Sequence, residues 1–248
     1  MKREKLGSRL GFILLSAGCA IGIGNVWKFP YVVGQNGGGI FVLVYLAFLA
    51  LLGIPVLTME FSIGRAAQKS PVRMYQQLEP QGTKWHIHGK AAMAGAYLLM
   101  MFYTTVAGWM VRYFVSTAAG DTAGLDSAGI ADFFSGVLAD APQMVLYMGV
   151  VIAAAVLVCS IGLENGLERV TKVMMLALLA IMIVLAVNSF FMPGGEAGLA
   201  FYLMPDAEAV EKIGIGNLVV NAMNQAFFTL SLGIGAMAIF GSYIGKER

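Results

Sequence analysis

The most constraining feature of the sequence is an apolar stretch that helix-weakening residues interrupt near its middle. Residues 12–33 are apolar enough to cross a bilayer, yet residues 18–25 contain three glycines and Asn25. A glycine in a helix interior costs about 1 kcal/mol relative to alanine. A second apolar stretch, residues 217–244, is interrupted in the same way at residues 231–235. Within a bilayer, non-helical backbone must line a cavity or bind something, so both interruptions predict a binding site.

Composition indicates a polytopic membrane protein. The sequence is 58% hydrophobic and 12% charged, whereas soluble domains carry about 25% charged residues. A net charge of only +2 gives no indication of nucleic-acid binding. About 20 apolar residues cross a bilayer, and the sequence predicts six spans, at residues 10–33, 39–64, 91–118, 143–161, 170–192 and 217–244. Two interrupted spans that open two structural halves are typical of secondary transporters.

Lysine and arginine are distributed unevenly between the predicted loops. Most of the 16 basic residues lie at the two termini and in the loops after the second and fourth spans. The opposite loops carry mainly aspartate and glutamate. Because basic loops stay in the cytoplasm, the sequence predicts that both termini are cytoplasmic, as an even number of spans requires.

Polar groups inside the predicted spans are the candidate site residues. Freed carbonyls at the first interruption can hold a sodium ion, and the amides of the following half-helix can hold an anion. Asn25 adds a side-chain oxygen of the kind that hard cations prefer. A second interpretation of Gly18 and Gly22 is a small-residue helix-packing face.

Glu60 is the only acidic residue that we expect inside a span. An intramembrane carboxylate is costly and usually functional. It can be protonated, relay protons, or accept hydrogen bonds from the amides of the interrupted helices. His86 and His88 form the only histidine cluster, and two ligands do not make a metal site, so we expect them in a solvated loop.

Polar and aromatic side chains also lie in the third and sixth spans. Tyr103 follows Leu99 by one helical turn on the same face, and it either meets a polar partner or packs against neighbours. Gln225, Thr229 and Ser231 surround the second interruption. Serine and threonine in spans often bond to their own helix, which is the alternative to a site.

Together these residues resemble the sodium:neurotransmitter symporter family, also called the solute carrier 6 family, and its bacterial-type sodium-dependent amino-acid transporters. The resemblance runs from end to end and matches the N-terminal half of the family. The matching stretches are Ser8-Arg9-Leu10-Gly11-Phe12, Gly22-Ile23-Gly24-Asn25-Val26-Trp27-Lys28-Phe29-Pro30-Tyr31, Asn36-Gly37-Gly38-Gly39, Gly53-Ile54-Pro55, Glu60 with Gly64-Arg65, and Gln225-Ala226-Phe227-Phe228-Thr229-Leu230-Ser231-Leu232-Gly233.

The resemblance implies an all-α integral membrane protein with a leucine-transporter-like inverted-repeat fold. Transmembrane helices 1 and 6 would be unwound in mid-membrane, and the fold would be truncated after the sixth helix. Residues 1–248 would form a single transmembrane domain, with the first repeat at about 10–192 and the start of the second at about 217–244. The C-terminal half of the family fold would be absent.

The resemblance also implies two sodium sites and a substrate site. Carbonyls of Gly18 and Ile21 would belong to one sodium site, while Ala20, Asn25 and Thr229 would bind the other sodium together with the substrate carboxylate. Tyr103 and the amides near Ile23 and Gly24 would hold that carboxylate. The remaining pocket residues would be Cys19, Leu99, Phe228, Ser231 and Ile234.

Chloride and gating residues are implied in the same way. Tyr45, Gln225 and Thr229 match positions used by chloride-dependent members, which leaves chloride dependence open. Arg3 matches a cytoplasmic gate. Lys28 replaces the usual outer-gate arginine, with loss of its bidentate geometry, and Glu60 would be structural.

The function that the resemblance implies is sodium-coupled symport of a neutral amino acid by alternating access. Monoamine carriers place an aspartate at the position of Cys19, so a zwitterionic substrate is favoured here, and Phe228 with Leu99 favours a hydrophobic or aromatic one. We expect a multi-pass protein of the bacterial inner membrane. The alternative is a truncated, non-transporting fragment or partner subunit, and a homo-oligomer or a complementing second half stays open. An enzyme is disfavoured because the sequence offers no set of acid, base and nucleophile.

Overall fold

The computed structural model describes residue 6 and residues 8–244, without the side chain of Ala207. This part of the chain is helical, and the only β-type pairing described in it is an isolated bridge between Gly38 and Pro205. The α-helices are α1 (Arg9–Ala20), α2 (Phe29–Gln35), α3 (Gly39–Phe48), α4 (Ile54–Ala67), α5 (Pro71–Leu78), α6 (His86–Ala119), α7 (Ser127–Ala139), α8 (Ala141–Ser160), α9 (Arg169–Phe191), α10 (Gly195–Leu203), α11 (Ala207–Ile213), α12 (Ile215–Thr229) and α13 (Ala236–Gly241). Wider π-helical turns occupy Gly24–Lys28, Leu49–Gly53 and Leu163–Glu168.

Four of the predicted spans are uninterrupted helical runs that are long and apolar enough to cross a membrane. They are Gly39–Ala67, His86–Ala119, Ala141–Ser160 and Leu163–Phe191. The first predicted span is a bent pair, Arg9–Ala20 and Gly24–Gln35, with an angle of 57° between its halves. The sixth consists of α12 and α13, which are too short to cross separately because a turn divides them. The all-helical fold with two broken spans is therefore confirmed.

The first break is narrower than the sequence predicts. Ser8 caps α1 by accepting the Gly11 amide at 2.9 Å, and the helix continues regularly to Ala20. Gly18 is thus helical, which corrects the prediction that the interruption begins there. A Cβ on Gly18 would lie 2.8 Å from the Thr171 side chain, so this glycine permits close packing of α1 against α9.

Positive backbone φ angles produce the second break. Ser231, Gly233 and Gly235 have φ values of 51°, 86° and 73°, a region that L-residues other than glycine rarely adopt. A helix cannot continue through such residues, and the chain turns between α12 and α13. Gly37 and Gly38 also have positive φ values, in the turn between α2 and α3.

The chain divides into two compact units. One contains residues 1–92 and 163–248, and the other contains residues 93–162. In the first unit, a buried cluster joins α2, α3 and α12 through Val33, Phe41, Tyr45, Leu218, Ala222 and Ala226. In the second unit, aromatic rings of α6 and α7 pack together, as in the pair Trp109 and Phe134 at 5.4 Å.

Two expectations about charged residues are wrong. His86 is not in a solvated loop: it begins α6, and both its amide and its ring Nδ1 lie about 3 Å from the Glu79 carboxylate. Glu60 is not the only acidic residue inside a span, because Glu168 lies in the helical run Leu163–Phe191 and is 2% exposed. The carboxylate of Glu168 pairs with Lys172 at 2.6 Å and accepts a hydrogen bond from Ser8 at 3.2 Å. A partner one turn away offsets the cost of burying its charge.

Candidate functional site

The two helix breaks lie side by side in the first unit, joined by hydrogen bonds between them. The Ser231 hydroxyl donates to the Cys19 carbonyl at 3.2 Å. The Gln225 side-chain amide donates to the Gly24 carbonyl at 3.4 Å. Residues far apart in sequence thus meet where both helices are interrupted. This adjacency creates a polar region inside apolar spans.

Asn25 is the centre of a chain of hydrogen bonds across the breaks. Its amide nitrogen donates to the Ala20 carbonyl at 2.7 Å, and its oxygen accepts from the Thr229 hydroxyl at 3.0 Å. Tyr45 on α3 in turn donates to the Thr229 hydroxyl oxygen at 3.0 Å. Four elements therefore position one cluster of oxygens.

The oxygens of Ala20, Asn25 and Thr229 fit a small hard cation. A carbonyl, an amide oxygen and a hydroxyl are uncharged ligands of the type that such ions prefer. The described residues contain no group of three or more His, Cys, Asp or Glu side chains that could hold a metal ion. Uncharged oxygen donors of this kind suit a hard cation such as sodium better than a transition metal, which prefers nitrogen or sulfur ligands.

The backbone of the first break supplies groups that a regular helix would use internally. The Gly22 amide donates to the Ala20 carbonyl at 3.2 Å and not to Gly18 four residues earlier, as an α-helix requires. The Gly18 carbonyl therefore does not receive the Gly22 amide that would be its regular helical partner, and α1 ends at its C-cap residue Ile21, whose φ is −88° and ψ is 86°. Gly18 and Ile21 are the two residues whose carbonyls are predicted to belong to one sodium site, separate from the site of Ala20, Asn25 and Thr229.

Phe228 packs directly onto the first break. A Cβ on Gly24 would lie 1.9 Å from the Phe228 ring, so only glycine fits beneath this aromatic side chain. The Lys28 ammonium lies 5.3 Å from the centroid of the same ring, a distance at which a cation is attracted to an aromatic face. Phe228 thus connects the predicted pocket with the predicted outer gate.

Glu60 anchors the second break from α4. Its side chain is 6% exposed, and Oε1 accepts the Gly233 amide at 2.7 Å. The amide is one that the turn removes from regular helical bonding, and in a membrane such a group needs a partner. Of the alternatives open for Glu60, this geometry corresponds to the acceptor of freed amides.

The remaining predicted residues lie in the two breaks, in the second unit or outside the described residues. Ile23 lies in the first break, and Ile234 lies in the turn between α12 and α13. Leu99 and Tyr103 lie one turn apart on α6, within the second unit, so their part in the site stays a prediction. Arg3 lies outside the described residues.

One polar pair, Asn36 and Asn221, was not predicted as part of the site. Asn221 on α12 donates to Asn36 at 2.7 Å, and Asn36 donates to the Val32 carbonyl at 2.8 Å. Both asparagines line a cleft of about 400 Å³ together with Lys28 and Gln225. The sequence signal was present, because an asparagine within an apolar span needs a partner.

The fold and the site define a multi-pass membrane protein in which two broken helices meet at a cluster of polar oxygen-bearing groups. The family model "Sodium:neurotransmitter symporter family" matches residues 3–123 and 134–248. The chain belongs to this family, which is one of sodium symporters and not of enzymes.

Individual relatives agree with the family match. An uncharacterized sodium-dependent transporter of Bacillus subtilis is 37% identical over all of this chain and 54% of its own length. A sodium-dependent neutral amino acid transporter of Rattus norvegicus, B(0)AT2, is 26% identical over all of this chain and 37% of its own. The crystal structure of MhsT in complex with L-phenylalanine has 40% identity and a TM-score of 0.88 over all of this chain and 55% of that one. The chain therefore spans about half the length of the relatives it matches, or less.

Proposed function

We propose that this chain supplies sodium and substrate ligands to a symporter that carries a neutral amino acid across the membrane, coupled to sodium, by alternating access. The observation that carries the proposal is the hydrogen-bonded cluster of Ala20, Asn25 and Thr229 across the two breaks. Its carbonyl, amide and hydroxyl oxygens suit a sodium ion, and the carboxylate of the bound amino acid would be a further ligand. Sodium and substrate would then raise each other's affinity by the same factor, as linkage requires.

The substrate carboxylate would bind at the start of the second half of the first span. Among the described residues, the amides of Ile23 and Gly24 have no backbone acceptor, and free amides at such a position attract anions. Tyr103 would add its hydroxyl. Carbonyls of Gly18 and Ile21 would contribute to the second sodium site.

A hydrophobic or aromatic side chain is the substrate type that the pocket favours. Cys19 offers no negative charge for a substrate amine, and Phe228 supplies an apolar wall beside Gly24. Leu99, Ser231 and Ile234 would complete the pocket. The crystal structure of MhsT contains L-phenylalanine, and the relation to a neutral amino acid transporter points in the same direction.

Chloride is a further candidate ligand of the same region. Tyr45, Thr229 and Gln225 supply two hydroxyls and an amide, and Tyr45 bonds directly to Thr229. Hydroxyl and amide donors can bind an anion beside a sodium ion. Lys28 and Arg3 would serve as gates on opposite sides, and Glu60 would hold the second break in place.

The proposed setting is a bacterial inner membrane with both termini in the cytoplasm. Residues 1–248 would form one transmembrane domain made of the first repeat and the start of the second. The rest of the fold would come from a complementing second half or from association of copies. In the alternative, the chain is a non-transporting fragment or partner subunit.

Binding of L-phenylalanine to the purified full chain, in sodium and in potassium buffers, tests the proposal. We expect saturable binding in sodium only. Thr229→Val should weaken it by at least about tenfold, because the variant removes one oxygen ligand and leaves the Asn25 oxygen without its donor, and an unpaired buried polar group costs about 1–3 kcal/mol. Thr104→Val is the matched control, since its hydroxyl bonds only to carbonyls of its own helix.

Two further outcomes separate the alternatives. Cys19→Asp should abolish sodium-dependent binding of a neutral amino acid, and unchanged binding would contradict the placement of Cys19. Absence of binding by the chain, with binding restored by the co-expressed second half of the Bacillus subtilis relative, would favour the partner-subunit alternative. Equal binding in potassium would rule out sodium coupling at this site.

A further inference from the structure

A separate cleft lies at the end of α1 that the charge distribution places in the cytoplasm. It has a volume of about 350 Å³ and lies between the start of α1, the end of α4 and the residues that follow α13. Its lining includes Ser8, Arg9, Phe12, Ile13, Arg65 and Tyr243. None of these residues belongs to the sodium or substrate site described above.

Two guanidinium groups from different helices line this cleft. Arg9 is the first residue of α1, and Arg65 lies in the last turn of α4. Both side chains are exposed. Each guanidinium is positively charged at physiological pH. The N-terminus of α1 adds the positive end of a helix dipole.

Arginine pairs are well suited to a phosphate group. A guanidinium carries five N–H donors, so it can hold a phosphate while it keeps another hydrogen bond. Its planar shape matches phosphate oxygens in a bidentate manner. Two such groups on one cleft can neutralise a phosphate more completely than either arginine alone.

Apolar side chains adjoin the arginines on the same cleft. Phe12 and Ile13 on α1 lie next to Arg9 in the lining, and Ile13 is 58% exposed although it lies in a span. A soluble phosphate ion has no group that would use this apolar wall. A phospholipid has such a group, because glycerol joins its acyl chains to its phosphate.

We propose that this cleft binds the phosphate of an anionic phospholipid of the cytoplasmic leaflet. Arg9 and Arg65 hold the phosphate oxygens, and Phe12 with Ile13 contacts the start of an acyl chain. Basic pockets between helices at the cytoplasmic side are the sites where anionic headgroups bind. Phosphate is the chemistry shared with soluble phosphates, and the apolar wall favours the lipid.

The bound lipid would connect two parts of the helix bundle. Arg9 belongs to the first half of the broken span, and Arg65 belongs to the span that contains Glu60. A ligand that needs both arginines stabilises the arrangement in which α1 and α4 are close, because it binds that arrangement best.

Lipid binding by the purified full chain, measured with native mass spectrometry in detergent, tests the proposal. The probes are phosphatidylglycerol and phosphatidylcholine of the same chain length. We expect the double variant Arg9→Gln/Arg65→Gln to lower phosphatidylglycerol affinity by at least about tenfold, since each basic residue near an anionic headgroup contributes about 1 kcal/mol. The matched control is Lys69→Gln/Arg73→Gln, which removes the same charge from exposed positions on the same side of the membrane.

Each outcome of this comparison decides the proposal. An equal loss of phosphatidylglycerol affinity in both double variants would show general charge attraction and would overturn the proposal. Equal affinity of the unmodified chain for phosphatidylcholine and phosphatidylglycerol would overturn it as well. If the double variant fails to fold, as judged by size-exclusion chromatography, each single arginine variant should lose about fivefold. Displacement by millimolar inorganic phosphate would identify a soluble phosphate as a second source, whereas displacement by lipid alone would identify the phospholipid as the ligand.

Discussion

At the scale of single residues, the site depends on side chains that both donate and accept hydrogen bonds. Asn25 donates to Ala20 and accepts from Thr229, so no residue with only a donor or only an acceptor could replace it. The sequence could indicate Asn25 and Glu60, because polar groups inside apolar spans require partners. It could not indicate which amide Glu60 accepts, since Gly233 lies 173 positions away.

Gly24 offers the sharpest test at this scale. We expect Gly24→Ala to lower amino-acid affinity strongly, because a Cβ would lie 1.9 Å from the Phe228 ring and the ring would have to move into the pocket. Gly34→Ala in α2 is the control, since a Cβ there meets nothing within 4 Å. Isothermal titration with L-phenylalanine in sodium measures both. Equal affinities in the two variants would show that Phe228 is not part of the pocket.

At the scale of helices, glycines determine how closely the second half of the broken sixth span approaches α4. A Cβ on Gly64 would lie 1.9 Å from the backbone oxygen of Ala238, and one on Gly241 would lie 2.6 Å from that of Phe61. Backbone atoms cannot rotate away as side chains can. The sequence alone places helices by their apolar length, but it does not reveal which helical glycines, such as Gly18, Gly64 and Gly241, lie at such close contacts.

Enlarging Gly64 should therefore separate α4 from α13. We expect Gly64→Ala to lower stability by about 1–3 kcal/mol, the usual cost of overpacking a close contact. Gly95→Ala in α6 should be neutral or slightly stabilising, because a Cβ there meets nothing within 4 Å and alanine favours helix. Thermal unfolding in detergent measures the difference. A Gly64→Ala variant as stable as Gly95→Ala would contradict the close contact.

The start of α6 should respond to acid. The His86 backbone amide, with a further contribution from its ring, lowers the pKa of Glu79 below its ordinary value of 4.5. The ionised carboxylate therefore stabilises the segment between Glu79 and the start of α6 above about pH 4.5. This stabilisation is lost as the pH falls through the lowered pKa. Hydrogen exchange of residues 79–88 between pH 3 and pH 6 should show this loosening. Glu79→Gln should remove the pH dependence, and its persistence would assign the effect to another group.

At the scale of the whole molecule, apolar surface and charge together determine the membrane arrangement. The described residues of α8 and α9 include no buried ones, and both helices expose large apolar side chains, such as Val145 and Val156 on α8 and Met174 and Ile183 on α9. The membrane class and the positions of the long apolar helical runs were predictable from composition and length, whereas the alternation of the spans stays a prediction. Glu168 was not predictable, because its position between two spans in the sequence hid its place inside a continuous helical run.

The orientation of the spans is testable with single cysteines. With Cys19 and Cys159 replaced by alanine, a membrane-impermeant maleimide should label Asp126→Cys in intact cells. It should label Lys84→Cys only after the cells are opened, because basic loops stay in the cytoplasm. The reverse pattern would invert the predicted topology.

The hydrogen bonds that join the two breaks also constrain how this family can diverge. Asn25 and Thr229 are one bonded pair, and Gly24 with Phe228 is one steric pair. Replacing Asn25 or Thr229 with an apolar residue leaves the other without its hydrogen bond, and enlarging Gly24 brings it into collision with Phe228, so a lineage can tolerate these changes only with a compensating change in the partner. Positions that are more than 200 residues apart should therefore drift together over evolutionary time.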